Sequence, residues 1–335
     1  MSKELLKIND LKVSFFTPAG EVKAVNGVSY TLESGKVLGI VGESGSGKSV
    51  SSYSIMGLID KPGKIVGGNI VFDGKDVSTM TKAQRQNFAG NEVAMIFQDP
   101  MTSLNPVFTI GNQIAESLIH KYGKISKEEI KKRSIELMTL VGINEPEKRL
   151  SQYPHEFSGG MRQRAMIAMA LAGSPKLLIA DEPTTALDVT IQAQILELLK
   201  DIQKKTGMAI ILITHDLGIV ADMADDVIVM YGGKIVEQGS VYSIFNAPRH
   251  PYTKGLIRSL PDLSKKGEQL IPIQGNPIDL LNLPQGCAFS PRCENCMKVC
   301  IKHMPEEHST EDGHRVSCWL YDSRANNNTA VKNND

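Results

Sequence analysis

None of the five cysteines of this 335-residue chain lies before position 287. No disulfide can therefore tie the chain together before that point. An excess of charge of one sign is also missing, since 37 basic residues face 37 acidic ones. That balance argues against a broadly basic nucleic-acid binder, although a local patch can hide inside a neutral total. Long apolar runs are absent too. Stretches such as Met208 to Ile213 fall far short of the roughly 18 residues that a membrane span needs. The N-terminal MSKELLKIND has no apolar signal core. These absences lead to the expectation of a soluble chain on the cytoplasmic side, with any membrane association made through partners.

What the chain does have is Gly42 to Ser49, read as GESGSGKS. It fits the P-loop pattern G-x-x-x-x-G-K-[ST] at every fixed position. The glycines Gly42, Gly45 and Gly47 let backbone N–H groups, with those of Glu43, Ser44 and Ser46, curl around phosphate oxygens. Lys48 brings a mobile positive charge to the β- and γ-phosphates, and the Ser49 hydroxyl can ligate Mg²⁺. Val37 to Val41 reads as a buried strand before the loop. Ser49 to Gly57 opens a helix after it, whose N-terminal dipole favours anions. The chain is expected to bind a nucleoside triphosphate.

The remaining motifs follow in order. Leu5 to Phe16 and Val22 to Leu32 read as strands separated by a turn, which suggests a β-rich edge attached to a parallel core. Phe15 could stack on an adenine ring, although an aromatic in a strand is more often core. Residues 59–92, with Gly63, Gly67, Gly68 and Gly74, read as small hairpins. Glu92 to Phe97 is a buried strand ending at Gln98, which could reach Mg²⁺ or an attacking water, or be a plain loop residue. Residues 106–175 look mostly helical. There Ser126 is an N-cap, with Glu129 completing a capping box.

Ser158-Gly159-Gly160 precedes a further helix and is a second phosphate-competent N-terminus, or a plain cap. Lys176 to Glu182 is an apolar strand ending in two carboxylates. With a P-loop upstream, Asp181 suits Mg²⁺ and Glu182 suits a general base. Residues 184–188 form a loop, and Ile191 to Lys205 an amphipathic helix. Ala209 to Thr214 is another strand. It ends at His215, which would face the ligand crevice and could donate to the γ-phosphate. Asp226 to Gln238 reads as a hairpin turning at Gly232-Gly233.

GESGSGKS, Gln98, FSGGMRQR, LLIADE, ALD and His215 stand in the order found in ATPase subunits of ABC transporters, and the resemblance spans about residues 5–260. It implies an α/β P-loop ABC ATPase core with RecA-like, antiparallel β and helical subdomains, the last at about residues 100–175. It also implies two such domains dimerising head to tail around two ATPs. On that resemblance Phe15 stacks on adenine, and Gly42 to Ser49 bind phosphates in cis. Gln98 senses Mg²⁺ and the membrane subunit. Ser158, Gly159 and Gly160 touch the ATP of the opposite subunit. Asp188 lies at the dimer interface, Glu182 is the catalytic base, and His215 is the γ-phosphate switch. Phe157 and Met161 depart from the common LSGGQ form.

After the core, HPYT at His250 to Thr253, QDPMTSLNP at Gln98 to Pro106 and HEFSGGMRQR at His155 to Arg164 resemble the oligopeptide/dipeptide (and nickel) permease ATPases. The resemblance implies peptide import through two transmembrane permease subunits, a second ATPase subunit and an extracellular substrate-binding protein, with no nucleic acid. It places the chain at the cytoplasmic face of the membrane. Nickel import is the near alternative. A soluble ABC ATPase acting on nucleic acid or ribosomes is the distant one, and its usual coiled-coil arms or second ATPase domain are missing here. Cys287-x5-Cys293-x6-Cys300-x17-Cys318 resembles the subfamily's C-terminal pattern, in which some members hold a 4Fe–4S cluster. Four thiolates also suit Zn²⁺, free thiols are a third reading, and Cys296 falls outside the pattern but makes Cys293-x2-Cys296-x3-Cys300, itself a plausible ligand run. The expected division is an ATPase domain at 1–260, a cysteine-bearing extension at 261–325 and a disordered end at 326–335.

Overall fold

The computed structural model describes residues 3–99, 103–185, 187–260 and 272–324; the expected disordered end lies outside them. In chain order the strands are β1 (Glu4–Thr17), β2 (Gly20–Glu33), β3 (Val37–Val41), β4 (Gly63–Phe72), β5 (Lys75–Asp76), β6 (Val93–Ile96), β7 (Leu177–Asp181), β8 (Ala209–Ile213), β9 (Asp226–Tyr231), β10 (Lys234–Ser240), β11 (Glu307–Ser309) and β12 (Arg315–Ser317). The helices are α1 (Lys48–Met56), α2 (Lys82–Phe88), α3 (Ile110–Tyr122), α4 (Lys127–Leu140), α5 (Pro146–Arg149), α6 (Gly159–Leu171), α7 (Val189–Thr206), α8 (Leu217–Met223), α9 (Val241–Asn246), α10 (Pro251–Arg258) and α11 (Lys298–Lys302). The chain forms two compact units, one of Met1–Leu5, Leu32–Val37 and Asp73–Ile213, the other of Leu6–Thr31, Leu38–Phe72 and Thr214–Asp335.

In the first unit β6, β7 and β8 run parallel, with Met95 opposite Ile179 and Ile179 opposite Ile211. Every residue of these strands is buried. That is why they read as unbroken apolar runs rather than as alternating ones. Helices α3, α4 and α6 pack on one another, and α6 also packs on β6.

Two expectations for this unit need correction. Part of residues 59–92 is a helix, α2, opened by a full capping box between Thr81 and Gln84. The expected box at Ser126 is only half formed. Ser126 Oγ accepts from Glu129 N at 3.1 Å, but the Glu129 carboxylate turns instead to Arg133 Nε, 2.7 Å away. An i,i+4 ion pair has taken the side chain that would have reached back to the cap.

In the second unit β1 lies between β2 and β4, and pairs antiparallel with β4 from Leu6–Phe72 to Phe15–Gly63. The strand expected as a local hairpin therefore pairs with the start of the chain. β3 runs parallel to β9, and β9 turns at Gly232 and Gly233 into antiparallel β10. The two glycines have φ of 56° and 76°, left-handed values that suit glycine. β12 and then β11 add antiparallel strands beyond β10, so the cysteine-bearing extension continues a sheet of this unit. His314 Nε2 sits 2.7 Å from Glu237 Oε1 with both side chains buried, and this contact fastens the added hairpin.

Candidate nucleotide site

β3 delivers the chain into Gly42–Ser49, and α1 leaves it. Two glycines here are demanded by space. A Cβ on Gly42 would lie 2.2 Å from the Met230 carbonyl oxygen, and one on Gly47 would lie 2.3 Å from that of Ala24. Gly47 has φ +100° and is the cap residue of α1, whose first N–H groups receive no side-chain cap. A helix N-terminus of this kind presents its backbone N–H groups toward an anion. The Lys48 ammonium is buried against the loop, donating to Gly42 O at 2.7 Å and Glu43 O at 2.9 Å. Thr214 N donates to Ile40 O at 3.3 Å, so the residue before His215 is bonded to the strand that feeds the loop. Asp216 follows and caps α8. Phe15, half-buried, packs its ring edge 2.7 Å from where a Cβ on Gly63 would be.

The first unit holds the acidic half of the predicted set. Asp181 ends β7 and is only 2 % exposed. Glu182 follows with φ +47°, an uncommon value for a residue with a Cβ, and its N–H donates to Ile213 O at 2.8 Å. Its Oε2 accepts from Gln98 Nε2 at 2.8 Å and from Thr185 Oγ1 at 3.0 Å. The structure thus brings Gln98 onto the carboxylate predicted as base, at the carboxyl ends of neighbouring parallel strands.

Ser158 caps α6 by accepting from Met161 N at 3.3 Å, and Asp188 caps α7 by accepting from Ile191 N at 2.9 Å. A Cβ on Gly160 would come within 2.8 Å of Ile191 Cγ2, so the glycine lets α6 and α7 approach. Phe157 is buried in the core, while Ser158, Gly159 and Asp188 remain exposed. The departure from LSGGQ at Phe157 therefore fills the core and leaves the serine cap intact.

Residues 25–185 match the family model described as ABC transporter, and residues 236–300 match that of the oligopeptide/dipeptide transporter C-terminal region. The chain is 58 % identical, over 94 % of its length and 88 % of the relative's, to the oligopeptide transport ATP-binding protein OppD of Bacillus subtilis. It is 50 % identical to the dipeptide transport ATP-binding protein DppD of Escherichia coli, over 94 % of this chain and 96 % of that one.

The chain belongs to the oligopeptide/dipeptide family of ABC transporter ATP-binding proteins.

Among solved structures it resembles the ATP-binding cassette MJ0796, seen as a dimer bound to ADP and phosphate. The TM-score is 0.64 at 27 % identity, covering 71 % of this chain and 99 % of that one. It also resembles cbiO1 of Clostridium perfringens, with a TM-score of 0.62 at 29 % identity, over 73 % and 92 %. The fold is the α/β cassette of ABC ATPases, and the chain binds and hydrolyses ATP as that family does.

Within this family member the HPYT segment has a visible purpose. His250 Nδ1 accepts from Tyr252 N at 3.1 Å and caps α10, and Pro251 takes the first helical turn. Burial holds the His250 imidazole neutral, with its pKa pushed down to about 3. Tyr252 is fully buried and its hydroxyl accepts from Glu43 N at 2.8 Å, inside the P-loop. Tyr252, Arg292 and Thr185 were not among the predicted site residues. HPYT carried a signal for Tyr252, but nothing in the sequence links Arg292 or Thr185 to its partner.

Cys287, Cys293, Cys300 and Cys318 line one cavity with His250 and Trp319, and Cys296 is not among its lining residues. Burial pushes the thiols of Cys287 and Cys293 up to about 12 and that of Cys318 up to about 11. The donor chemistry suits a thiolate-bound metal, but the geometry does not. Among the described residues no group of three or more His, Cys, Asp or Glu side chains is placed to hold a metal ion. The cavity measures about 10 Å³, room for roughly one water. The arrangement therefore does not support the predicted 4Fe–4S cluster or the cysteines as a metal site.

Proposed function

We propose that this chain is the ATP-hydrolysing subunit that drives import of di- or oligopeptides through two transmembrane permease subunits. The observation that carries the reading is the match of residues 236–300 to the oligopeptide/dipeptide transporter C-terminal region, alongside relatives named for peptide transport. No described helix is long and apolar enough to cross a membrane, so the membrane path is assigned to partner chains. The chain then works at the cytoplasmic face, paired with a second ATPase subunit, with an extracellular binding protein delivering the peptide. Residues 1–260 form the ATPase domain, with its helical part at about 100–175, and 261–325 the extension.

In this reading Phe15 stacks on adenine, and the amides of Gly42 to Ser49 cradle the phosphates with Lys48 between the β- and γ-groups. Ser49, Gln98 and Asp181 would hold Mg²⁺, which when bound neutralises charge on the phosphate oxygens. Glu182, oriented by Gln98 and Thr185, takes a proton from the attacking water. His215 donates to the γ-phosphate. Ser158, Gly159 and Gly160, with Asp188, reach the ATP held by the opposite subunit. Each ATP then bridges two chains, and its cleavage removes the bridge. Closing and opening of two such domains drives rigid-body motion in the membrane subunits. The cysteines enter no step.

A tagged pull-down from detergent-solubilised membranes, with partners identified by mass spectrometry, tests this. Two multi-spanning proteins and a second ATPase are expected. Recovery of ribosomal or DNA-bound partners without a membrane protein would overturn the transporter role.

A further inference from the structure

The P-loop of this chain is held from outside by its own C-terminal extension. Arg292 belongs to the short turn Ser290–Arg292, immediately before Cys293, and its side chain is 6 % exposed. A guanidinium has five N–H donors. All five find acceptors here. Nη1 and Nη2 grip the Glu43 carboxylate at 2.7 and 3.1 Å, as a fork on a fork. Nη1 also reaches Tyr231 Oη at 3.3 Å, while Nη2 and Nε reach Ile273 O at 3.3 Å and Gln274 O at 2.9 Å. Such complete satisfaction of a buried cation marks a built site rather than a surface ion pair.

Glu43 is the second residue of GESGSGKS, and each of its polar groups is engaged. Its N–H donates to Tyr252 Oη at 2.8 Å, and its carbonyl accepts from Lys48 Nζ at 2.9 Å and from Ser46 N at 3.2 Å. Its carboxylate lies in the Arg292 fork. An acidic side chain in a loop that must hold a polyanion is an electrostatic liability, because like charges a few ångström apart repel strongly where water is excluded. The fork cancels that charge and fixes the loop at the same time.

We infer that Arg292, with Tyr252, is a positioning residue for ATP binding: it neutralises Glu43 and locks the P-loop in its phosphate-holding form. The inference rests on the reading that Gly42 to Ser49 hold the triphosphate. It makes nucleotide affinity in this chain depend on residues far downstream of the ATPase core. Loss of Arg292 leaves a bare carboxylate beside the phosphates, so it weakens binding in ground and transition states alike. The effect falls on KM and spares kcat.

The test uses the full-length chain and a fluorescent ATP analogue with Mg²⁺, together with steady-state ATPase kinetics of the purified transporter. Arg292→Ala is expected to weaken nucleotide binding by about tenfold or more, with kcat within about threefold of the parent. Adding Glu43→Gln to Arg292→Ala is expected to recover most of the affinity, since it removes the uncancelled charge. A merely structural role for Arg292 predicts no such rescue. Arg292→Lys keeps the charge without the fork and is expected to lie between; it also serves if Arg292→Ala does not fold. Parental affinity in both Arg292 variants, or failure of Glu43→Gln to rescue a folded Arg292→Ala, overturns the inference. Lys48→Ala separates the two claims. If it binds nucleotide as the parent does, the P-loop reading itself fails; if it loses binding while the Arg292 variants keep theirs, only the role of Arg292 fails.

Discussion

Replacing Glu182 by glutamine removes one proton acceptor and almost nothing else. The residue sits at φ +47° just past β7, held by Gln98 at 2.8 Å and Thr185 at 3.0 Å. Glutamine has the same length, and its carbonyl oxygen can still accept from Thr185. Both bonds end on Oε2, so the same amide oxygen can also accept from Gln98 Nε2, while the amide nitrogen takes the place of Oε1. The backbone strain is unchanged, so folding and ATP binding are expected to stay near the parent. Hydrolysis is not. A positioned general base contributes about 10²–10⁴-fold, or roughly 3–5 kcal/mol of transition-state stabilisation. Phosphate release from the purified transporter at saturating ATP should fall by that factor, with the nucleotide dissociation constant changed by less than about threefold. Hydrolysis at the parental rate would refute the assignment of Glu182 as base. Equal losses of binding and turnover would show that the residue holds the loop rather than the water.

Gly47→Ala should be far costlier than a helix-terminal alanine normally is. The new Cβ would lie 2.3 Å from the Ala24 carbonyl oxygen at φ +100°, so at least about 2 kcal/mol of stability and most nucleotide binding are expected to go. Urea unfolding checks the first, and a parental midpoint would contradict it. His250 provides a pH signature. Its folded pKa of about 3 lies below the ordinary 6.5, so the unfolded chain binds the extra proton. The contribution is intact above pH 6.5 and is lost as pH falls from 6.5 toward 3, by up to about 5 kcal/mol. His250→Asn, which can still cap α10, should flatten the fall of Tm across that range; an unchanged slope would count against the buried neutral imidazole.

The legible parts of this molecule were those whose signal is contiguous in the chain. Gly42 to Ser49 announces itself because a phosphate cradle needs glycines at fixed spacing beside one lysine. β7 and β8 announce themselves because strands buried on both faces must be apolar throughout. Parts that depend on distant partners stayed hidden. β4 looked like half of a local hairpin, yet its partner is β1, and only tertiary pairing decides that choice. At Ser126 the half-formed box turned on a competition between the helix cap and Arg133 for one carboxylate. The Arg292–Glu43 fork spans 249 residues and has no local trace. The cysteines taught the opposite lesson. Four of them line one small cavity, but the spacing of ligands in sequence does not set the room between them in space.

Uptake of labelled di- and oligopeptides tests the central claim most directly, using cells that lack this chain and are complemented with either the parent or Lys48→Ala. The account predicts that the parent restores uptake and that Lys48→Ala, although made and membrane-associated to the same extent, does not. Peptide uptake that survives loss of the chain, or that Lys48→Ala restores in full, would contradict it.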